Sequence, residues 1–417
     1  MGRKERVVIG LSGGVDSSVA AYLLTRRGYQ VSGVFMKNWH DSSVTINNQC
    51  PWVEDSTDAM LVADRLGIPF HVIDFSKEYR ERIVGYMFSE YESGRTPNPD
   101  ILCNREIKFD LLLKAAKSLG ADHVATGHYC RKKEINNANG SEYRLIQGVD
   151  GNKDQSYFLC QLNQHQLKHA MFPIGHLKKE EVRAIAREAD LVTAEKKDSQ
   201  GLCFVGKVKL PDFLKQKLKP REGDIILIPP QVISEQRKTT GQLSDTVELK
   251  SLCLPQKYKP EQGSLAGSHN GAHYFTIGQR KGLNIGGTSE PLYVISTDTE
   301  NNIVYTGMGD DHPGLLRPGL FIAPEDIHWI RNSFSLKPGE KTECLVRIRH
   351  RQPLVRSRLI MTGEGLYVLF EEPQRGVAPG QYAAFYISQE DGRSASHNRE
   401  CIGSGVISAG DITNPLL

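Results

Sequence analysis

The feature that most constrains this 417-residue chain is one passage near its start, where an apolar run turns through glycine and serine into a helical pattern. Val7-Val8-Ile9 is uninterrupted, as in a strand buried on both faces. Gly10-Leu11-Ser12-Gly13-Gly14-Val15-Asp16-Ser17-Ser18 follows, and a helix is predicted over about 17–27, with Gly28 just past its end. A strand that empties into a helix through such a turn lets backbone N–H groups and the helix dipole collect a phosphate. Gly13 and Gly14 keep a Cβ out of the anion's way, and Ser12, Ser17 and Ser18 offer hydroxyls. The string is neither G-x-x-x-x-G-K-[ST] nor G-x-G-x-x-G. A bland strand-to-helix turn is the alternative. The order S-G-G-x-D-S directly after a first strand favours the phosphate reading.

Short apolar runs keep alternating with helical spacing to about residue 135. Strands are predicted at 31–36, 70–73 and 123–125. Ala59, Val62, Ala63 and Leu66 make one helical stripe, and Phe109, Leu112, Leu113 and Ala116 another. This alternation predicts an α/β fold with a doubly wound parallel sheet. From 150 to 220 the pattern is mixed, with a stripe at Val182, Ile185, Ala186 and Ala189. Residues 231–271 show neither period and read as a long loop or insertion. Beyond them short strands are predicted at 274–277, 292–296, 303–305, 344–349, 366–370, 383–387 and 402–407, the spacing of a small β-barrel.

Composition excludes several classes. Hydrophobic residues make 39% and charged residues 24%, so the chain is neither fibrous nor disordered. A net charge of +3 means that any nucleic-acid surface must come from local clustering. No apolar run reaches the roughly 18 residues of a membrane span. Only residues 1–6 precede the first strand, so no leader peptide is expected. The eight cysteines (Cys50, Cys103, Cys130, Cys160, Cys203, Cys253, Cys344, Cys401) contain no C-x-x-C pair. No metal site is expected from them, and the chain reads as cytoplasmic and reduced.

Two cysteine passages stand out. In Asn98-Pro99-Asp100-Ile101-Leu102-Cys103-Asn104, Asp100 and Cys103 share a face if a helix starts there. A thiol at a helix N-terminus can be acidified and Asp100 can act as a general base, although its charge opposes the thiolate. The alternative is ordinary Asn-Pro-Asp turn chemistry with Cys103 as a small buried hydrophobe. In Asp198-Ser199-Gln200-Gly201-Leu202-Cys203-Phe204 the neighbours are those of an exposed loop. The two cysteines lie far apart in sequence, so a link between them requires a tertiary contact. In a reducing compartment it would be transient.

The loop at 12–18 resembles that of ATP pyrophosphatases, and taken with F-M-K-N-W at 35–39, N-P-D-I-L-C-N at 98–104, A-T-G-H-Y at 125–129, K-D-Q-S-Y-F-L at 153–159, D-S-Q-G-L-C-F at 198–204, F-T-I-G-Q-R-K-G-L at 275–283 and P-G-Q-Y-A at 379–383, the chain closely resembles the tRNA-specific 2-thiouridylase family. The resemblance implies an ATP-pyrophosphatase domain over 1–150, a mixed part over 151–225 carrying the second cysteine, a small central β domain over 226–315, and a tRNA-contacting barrel over 316–417. It implies ATP held by Gly10, Leu11, Ser12, Gly13, Gly14, Val15, Asp16, Ser17, Met36 and Gly127, with Mg²⁺ handled by Asp16. Asn98, Pro99 and Asp100 would contact the target base, with Asp100 also the general base. Cys203 would carry sulfur as a persulfide and Cys103 would resolve it. His128, Lys153, Asp154, Gln155, Arg349, His350 and Gln381 would touch tRNA. The implied reaction is 2-thiolation of the wobble uridine, position 34, with an anticodon stem-loop as substrate, a sulfur-carrier protein as donor and an outside reductant. The order of persulfide attack and resolution stays open.

One further pattern bears on RNA. Arg347, Arg349 and Arg351 alternate along a predicted strand and so project from one face, Arg356 and Arg358 follow, and no acidic residue lies between 345 and 361. Phosphate contacts or a solvated barrel face both fit. Two rival functions remain: an amide-forming synthetase with the same loop, which needs no cysteine pair, and a tRNA-binding protein with a vestigial nucleotide site.

Overall fold

The computed structural model describes residues 3–39, 51–137, 140–198, 213–215, 217–233, 245–388 and 398–410. The expected parallel sheet is present, with strands in the order Phe70–Asp74, Gln30–Lys37, Arg6–Gly10, His123–Ala125 and Ala170–Met171. Every neighbouring pair is parallel. Alternate residues of the strands feed opposite cores. Val8, Val34 and Val124 pack on one face, and Val7, Ile9, Val31 and Ala125 on the other, so the uninterrupted apolar runs are those of a sheet buried twice. The chain leaves the first strand toward one edge and returns to its other side with His123–Ala125. That reversal places a crevice at the C-terminal ends of these two strands.

The helix after the first strand is Val15–Arg26, two residues ahead of the sequence estimate, and Gly28 has φ +86°, the left-handed residue that ends it. Residues 99–118 form one helical run whose middle, Cys103–Leu111, is wound as a π-helix.

Two smaller sheets follow. The central one pairs Leu292–Asp298, Ile303–Met308, Gly223–Leu227 and Ser264–His269. The other is the C-terminal barrel sheet of nine strands, which the hairpin Cys130–Asn137 and Gly140–Gln147 joins, pairing through Glu400 and Cys401. Glu400, fully buried, anchors that junction, with Arg331 at 2.8 Å and Arg144 at 3.5 Å, while Arg331 also reaches Glu142 at 2.7 Å.

Two other expectations change. Within 231–271 the chain forms a helix, Asp245–Cys253, and the strand Ser264–His269; Leu249, Leu252 and Cys253 pack against Phe321 and Tyr367 of the barrel. No strand forms at 274–277. A short 3₁₀ turn occupies Ala272–Tyr274, and the Thr276 N–H is taken by the Gln279 side chain at 3.1 Å, which leaves no ladder to build.

Candidate active site

The crevice at the strand reversal opens into a cavity of about 560 Å³. Its floor is the phosphate-loop candidate: Gly10, Ser12, Gly14, Val15, Asp16 and Ser17 line it, with Met36 on one side and Gly127 and His128 on the other. Two glycines make this geometry possible. Gly13 has φ +72°, and a Cβ there would meet the Asp55 carbonyl oxygen at 2.3 Å. At Gly127 a Cβ would lie 2.6 Å from the Ser17 nitrogen, so only glycine lets the end of the fourth strand cross the helix N-terminus. Gly14 occupies the N-cap without a side-chain cap, which leaves the first-turn N–H groups of Val15–Arg26 for an anion. The serine hydroxyls divide. Ser17 and Ser18 donate to the Gly14 carbonyl at 3.0 and 2.9 Å and brace the loop, whereas Ser12 is exposed on its rim.

Asp16 is gripped by Lys179, at 2.7 and 2.9 Å, and by the Tyr129 hydroxyl at 2.7 Å. Lys179 also bonds Asp198 at 2.7 Å, and Lys153 reaches Asp198 at 2.6 Å. Although partial burial works against it, hydrogen bonds from Lys153 and Lys179 hold the Asp198 carboxyl down at about 2. Sequence reading missed Lys179 because its helix follows the loop by some 160 residues; only the fold brings them together.

The opposite wall is the helical run that begins at Pro99. Asp100, Asn104 and Lys108 lie four residues apart and all line the cavity. This stripe was available from the spacing once Asp100 was singled out. Asn98 is the N-cap, accepting from the Ile101 N–H at 3.3 Å, and its Nδ2 donates to Gln381 at 3.3 Å. Asn98 and Pro99 are therefore spent on starting the helix, and of that trio Asp100 lines the cavity. Cys103 is fully buried behind the wall, and burial pushes its thiol up to about 12, with Asp100 adding to the rise and Lys108 opposing it. Of the two readings the sequence left open, an acidified thiol at a helix start and a small buried residue, the burial of Cys103 fits the second. Cys203 lies outside the described residues.

His128 is buried in the wall, bonded through Nδ1 to the Thr126 hydroxyl at 2.7 Å. Burial and the nearby Lys108 hold its imidazole well below the usual range, so it is neutral at physiological pH. Gln155 lines the cavity while accepting from the Tyr129 N–H at 2.9 Å, and Lys153 lines it beside Asp198. From the barrel come His350, its ring 4.4 Å from that of Phe158, and Arg351.

The other barrel candidates are placed elsewhere. Asp154 is 2% exposed and bonded to Gln147, Gly148, Ser156 and Arg347, so its carboxylate fastens the barrel to the α/β domain and is not presented to RNA. Arg347, Arg349 and Arg351 do not share a strand face. The strand ends at Arg347, which is buried against Asp154 at 3.0 Å, and Arg349 donates to the carbonyls of Ile277 and Gly376. Arg356 and Arg358, both exposed, are the pair that does alternate on one strand. Gln381 donates to the Thr96 and Pro97 carbonyls at 2.8 and 3.1 Å, and with Arg349 it lines a separate hollow of about 330 Å³.

Three cavity-lining side chains hold polar atoms that are buried without partners: both amide atoms of Asn38, Nε1 of Trp52 and Oδ1 of Asn104. Among the described residues no three His, Cys, Asp or Glu side chains cluster as a metal site would require, and no helix is long and apolar enough to cross a membrane. The arrangement suits a phosphorylated ligand at the helix N-terminus with a second, planar or polar ligand against the Asp100–Asn104–Lys108 wall.

Comparison with known proteins agrees with this architecture. Residues 5–207 match the tRNA methyl transferase HUP domain, 257–308 the tRNA methyl transferase PRC-barrel domain, and 321–407 the aminomethyltransferase beta-barrel domain. The protein named tRNA-specific 2-thiouridylase MnmA from Flavobacterium johnsoniae is 58% identical, the match covering 97% of this chain and 100% of that one. Its namesake from Christiangramia forsetii is 57% identical over the same shares, and that from Bacillus subtilis is 42% identical over 96% of this chain and 94% of its own. With three domain models matched in series and relatives aligned almost end to end, the chain belongs to the tRNA-specific 2-thiouridylase family.

Proposed function

We propose that this enzyme thiolates C2 of the wobble uridine, position 34, in tRNA, consuming ATP and releasing AMP and pyrophosphate. The observation that carries the reading is a single cavity in which the loop at a helix N-terminus faces the wall formed by Asp100 and its helix, with barrel residues at the rim. A methyl transfer, which the domain descriptions name, has no use for such a phosphate site; activation of a carbonyl by ATP does.

A uracil C2 oxygen is a poor leaving group. Attack of that oxygen on the α-phosphorus expels pyrophosphate and leaves the oxygen as part of AMP. The backbone N–H groups at 14–17 stabilise the departing pyrophosphate, and Met36 and Gly127 border the nucleotide. Asp16, whose carboxylate Lys179 now holds, is the hard oxygen donor that would hold Mg²⁺ arriving with ATP, and the ion would supply charge neutralisation to the phosphates. Cys203 carries sulfur as a persulfide. Its terminal sulfur forms the new bond to C2 as the C2–O bond breaks and AMP departs. Cys103 forms an S–S bond to the Cys203 sulfur, breaking the persulfide bond, and an outside dithiol reduces the resulting disulfide. The same net balance holds if Cys103 releases sulfide first. A sulfur-carrier protein recharges Cys203 in a cytoplasmic, reducing setting.

The test is incubation of tRNA with the enzyme, ATP, Mg²⁺ and a persulfide source, followed by mass spectrometry of its nucleosides. 2-Thiouridine is expected from the wild type and none from Asp16→Ala or Cys203→Ser. ATP consumption by the wild type without 2-thiouridine would overturn the reading.

A further inference from the structure

Asn104 is 2% exposed in the cavity wall, one turn beyond Asp100 and one residue beyond Cys103. Its Nδ2 donates to the carbonyl of Phe158 at 3.0 Å, and its Oδ1 is buried without a partner. A buried amide oxygen left unbonded destabilises the free protein and is relieved when a ligand brings a donor. Rotating the amide by half a turn cannot relieve it, because that would set Oδ1 against the Phe158 oxygen and lose the one bond made. The side chain is thus locked with its N–H spent on Phe158 and its oxygen as the one unanswered group in this part of the wall, so only an acceptor is left for a ligand beside Asp100.

A fixed acceptor selects a ligand atom that bears hydrogen. Uracil has one ring donor, N3–H, directly next to the C2 that reacts. Cytosine carries a lone pair at N3, and would set lone pair against lone pair. We propose that Asn104 Oδ1 accepts the N3–H of the target base and so selects uracil over cytosine. The proposal rests on the thiolation reading above. Asn104 is a specificity residue here, and Phe158 is what orients it.

The experiment uses anticodon stem-loops carrying uridine or 3-deazauridine at the target position, the second with C–H in place of N3–H and nearly the same shape. Binding without ATP is measured for the wild type and Asn104→Ala, alongside 2-thiouridine formation and ATP affinity. The wild type is expected to bind the uridine stem-loop roughly 10-fold more tightly than the 3-deaza form, and Asn104→Ala to bind both alike at the weaker level. Equal binding by the wild type, which needs no mutant to fold, overturns the proposal, as does a preference that survives in Asn104→Ala. A defect confined to ATP affinity also overturns it, assigning the oxygen to the nucleotide. If the wild type forms 2-thiouridine while showing equal binding, only this inference falls. If it forms none, the underlying reading falls and takes the inference with it.

Discussion

At the residue scale the sequence was most informative where a residue's role depends on near neighbours. Gly13, Asp16 and Asp100 were legible because strand, turn and helix are local. It was least informative where a polar group is answered from another domain. Asp154 and Arg347 each read as surface charges, and each neutralises the other inside the molecule. Cys103 illustrates the same limit: its position at a helix start is local, but its burial is tertiary. One outcome follows from that burial. Free Cys103 should react with iodoacetamide about a thousandfold more slowly at pH 8 than an ordinary exposed thiol of pKa ~8.5. Because its thiol is pushed up to about 12, only the rare thiolate reacts, and the rate should climb about tenfold per pH unit from 7 to 10 with no plateau. Peptide mapping of the alkylated protein measures this. A plateau near pH 8 would show an acidified thiol and contradict the burial that raises it.

Elements were legible in proportion to how much of their pattern they owned. The central parallel strands Arg6–Gly10 and Gln30–Lys37 bury both faces within one domain, so their apolar runs announced them, whereas the two-residue edge strand Ala170–Met171 was not legible. The hairpin of 130–147 did not, because Arg131-Lys132-Lys133-Glu134 forms its outer, edge strand, and only the second strand, through Leu145 and Ile146, meets the barrel. The helix Asp245–Cys253 was hidden for a similar reason: its apolar positions serve a neighbour's surface within an otherwise polar stretch. One tight crossing bears directly on the site, where Thr126-Gly127-His128 passes the start of the phosphate-loop helix. Gly127→Ala would force a methyl group to within 2.6 Å of the Ser17 nitrogen, backbone against backbone. ATP turnover should fall by at least 100-fold while stem-loop affinity changes less than 3-fold, read by AMP release and by equilibrium binding; the magnitudes are on the order of those for a misplaced catalytic element. Full turnover in Gly127→Ala would mean that this crossing does not set the site.

For the whole molecule, buried ion pairs fasten the barrel to the catalytic domain. Removing one member strands the other charge, so Arg347→Ala should lower stability by about 3–5 kcal/mol in denaturant titration. Because Arg347 faces Asp154 and not solvent, the salt dependence of tRNA binding by the folded fraction should be unaffected. Exposed Arg351 and Arg356 are the residues expected to act through phosphate: each change to Ala should reduce the slope of log K against log salt by ~0.7–0.9. The opposite pattern, a flattened slope in Arg347→Ala alone, would return Arg347 to the RNA surface.

The central claim is that ATP activates the uracil oxygen itself. It is tested most directly with stem-loops carrying ¹⁸O at C2 of the target uridine, incubated with ATP and the persulfide-charged enzyme, and with mass spectrometry of the AMP released. One labelled oxygen should appear in the phosphate of AMP for each 2-thiouridine formed, since the oxygen that attacks phosphorus is the one that leaves with it. Unlabelled AMP, or ADP as the product accompanying 2-thiouridine, would contradict the account.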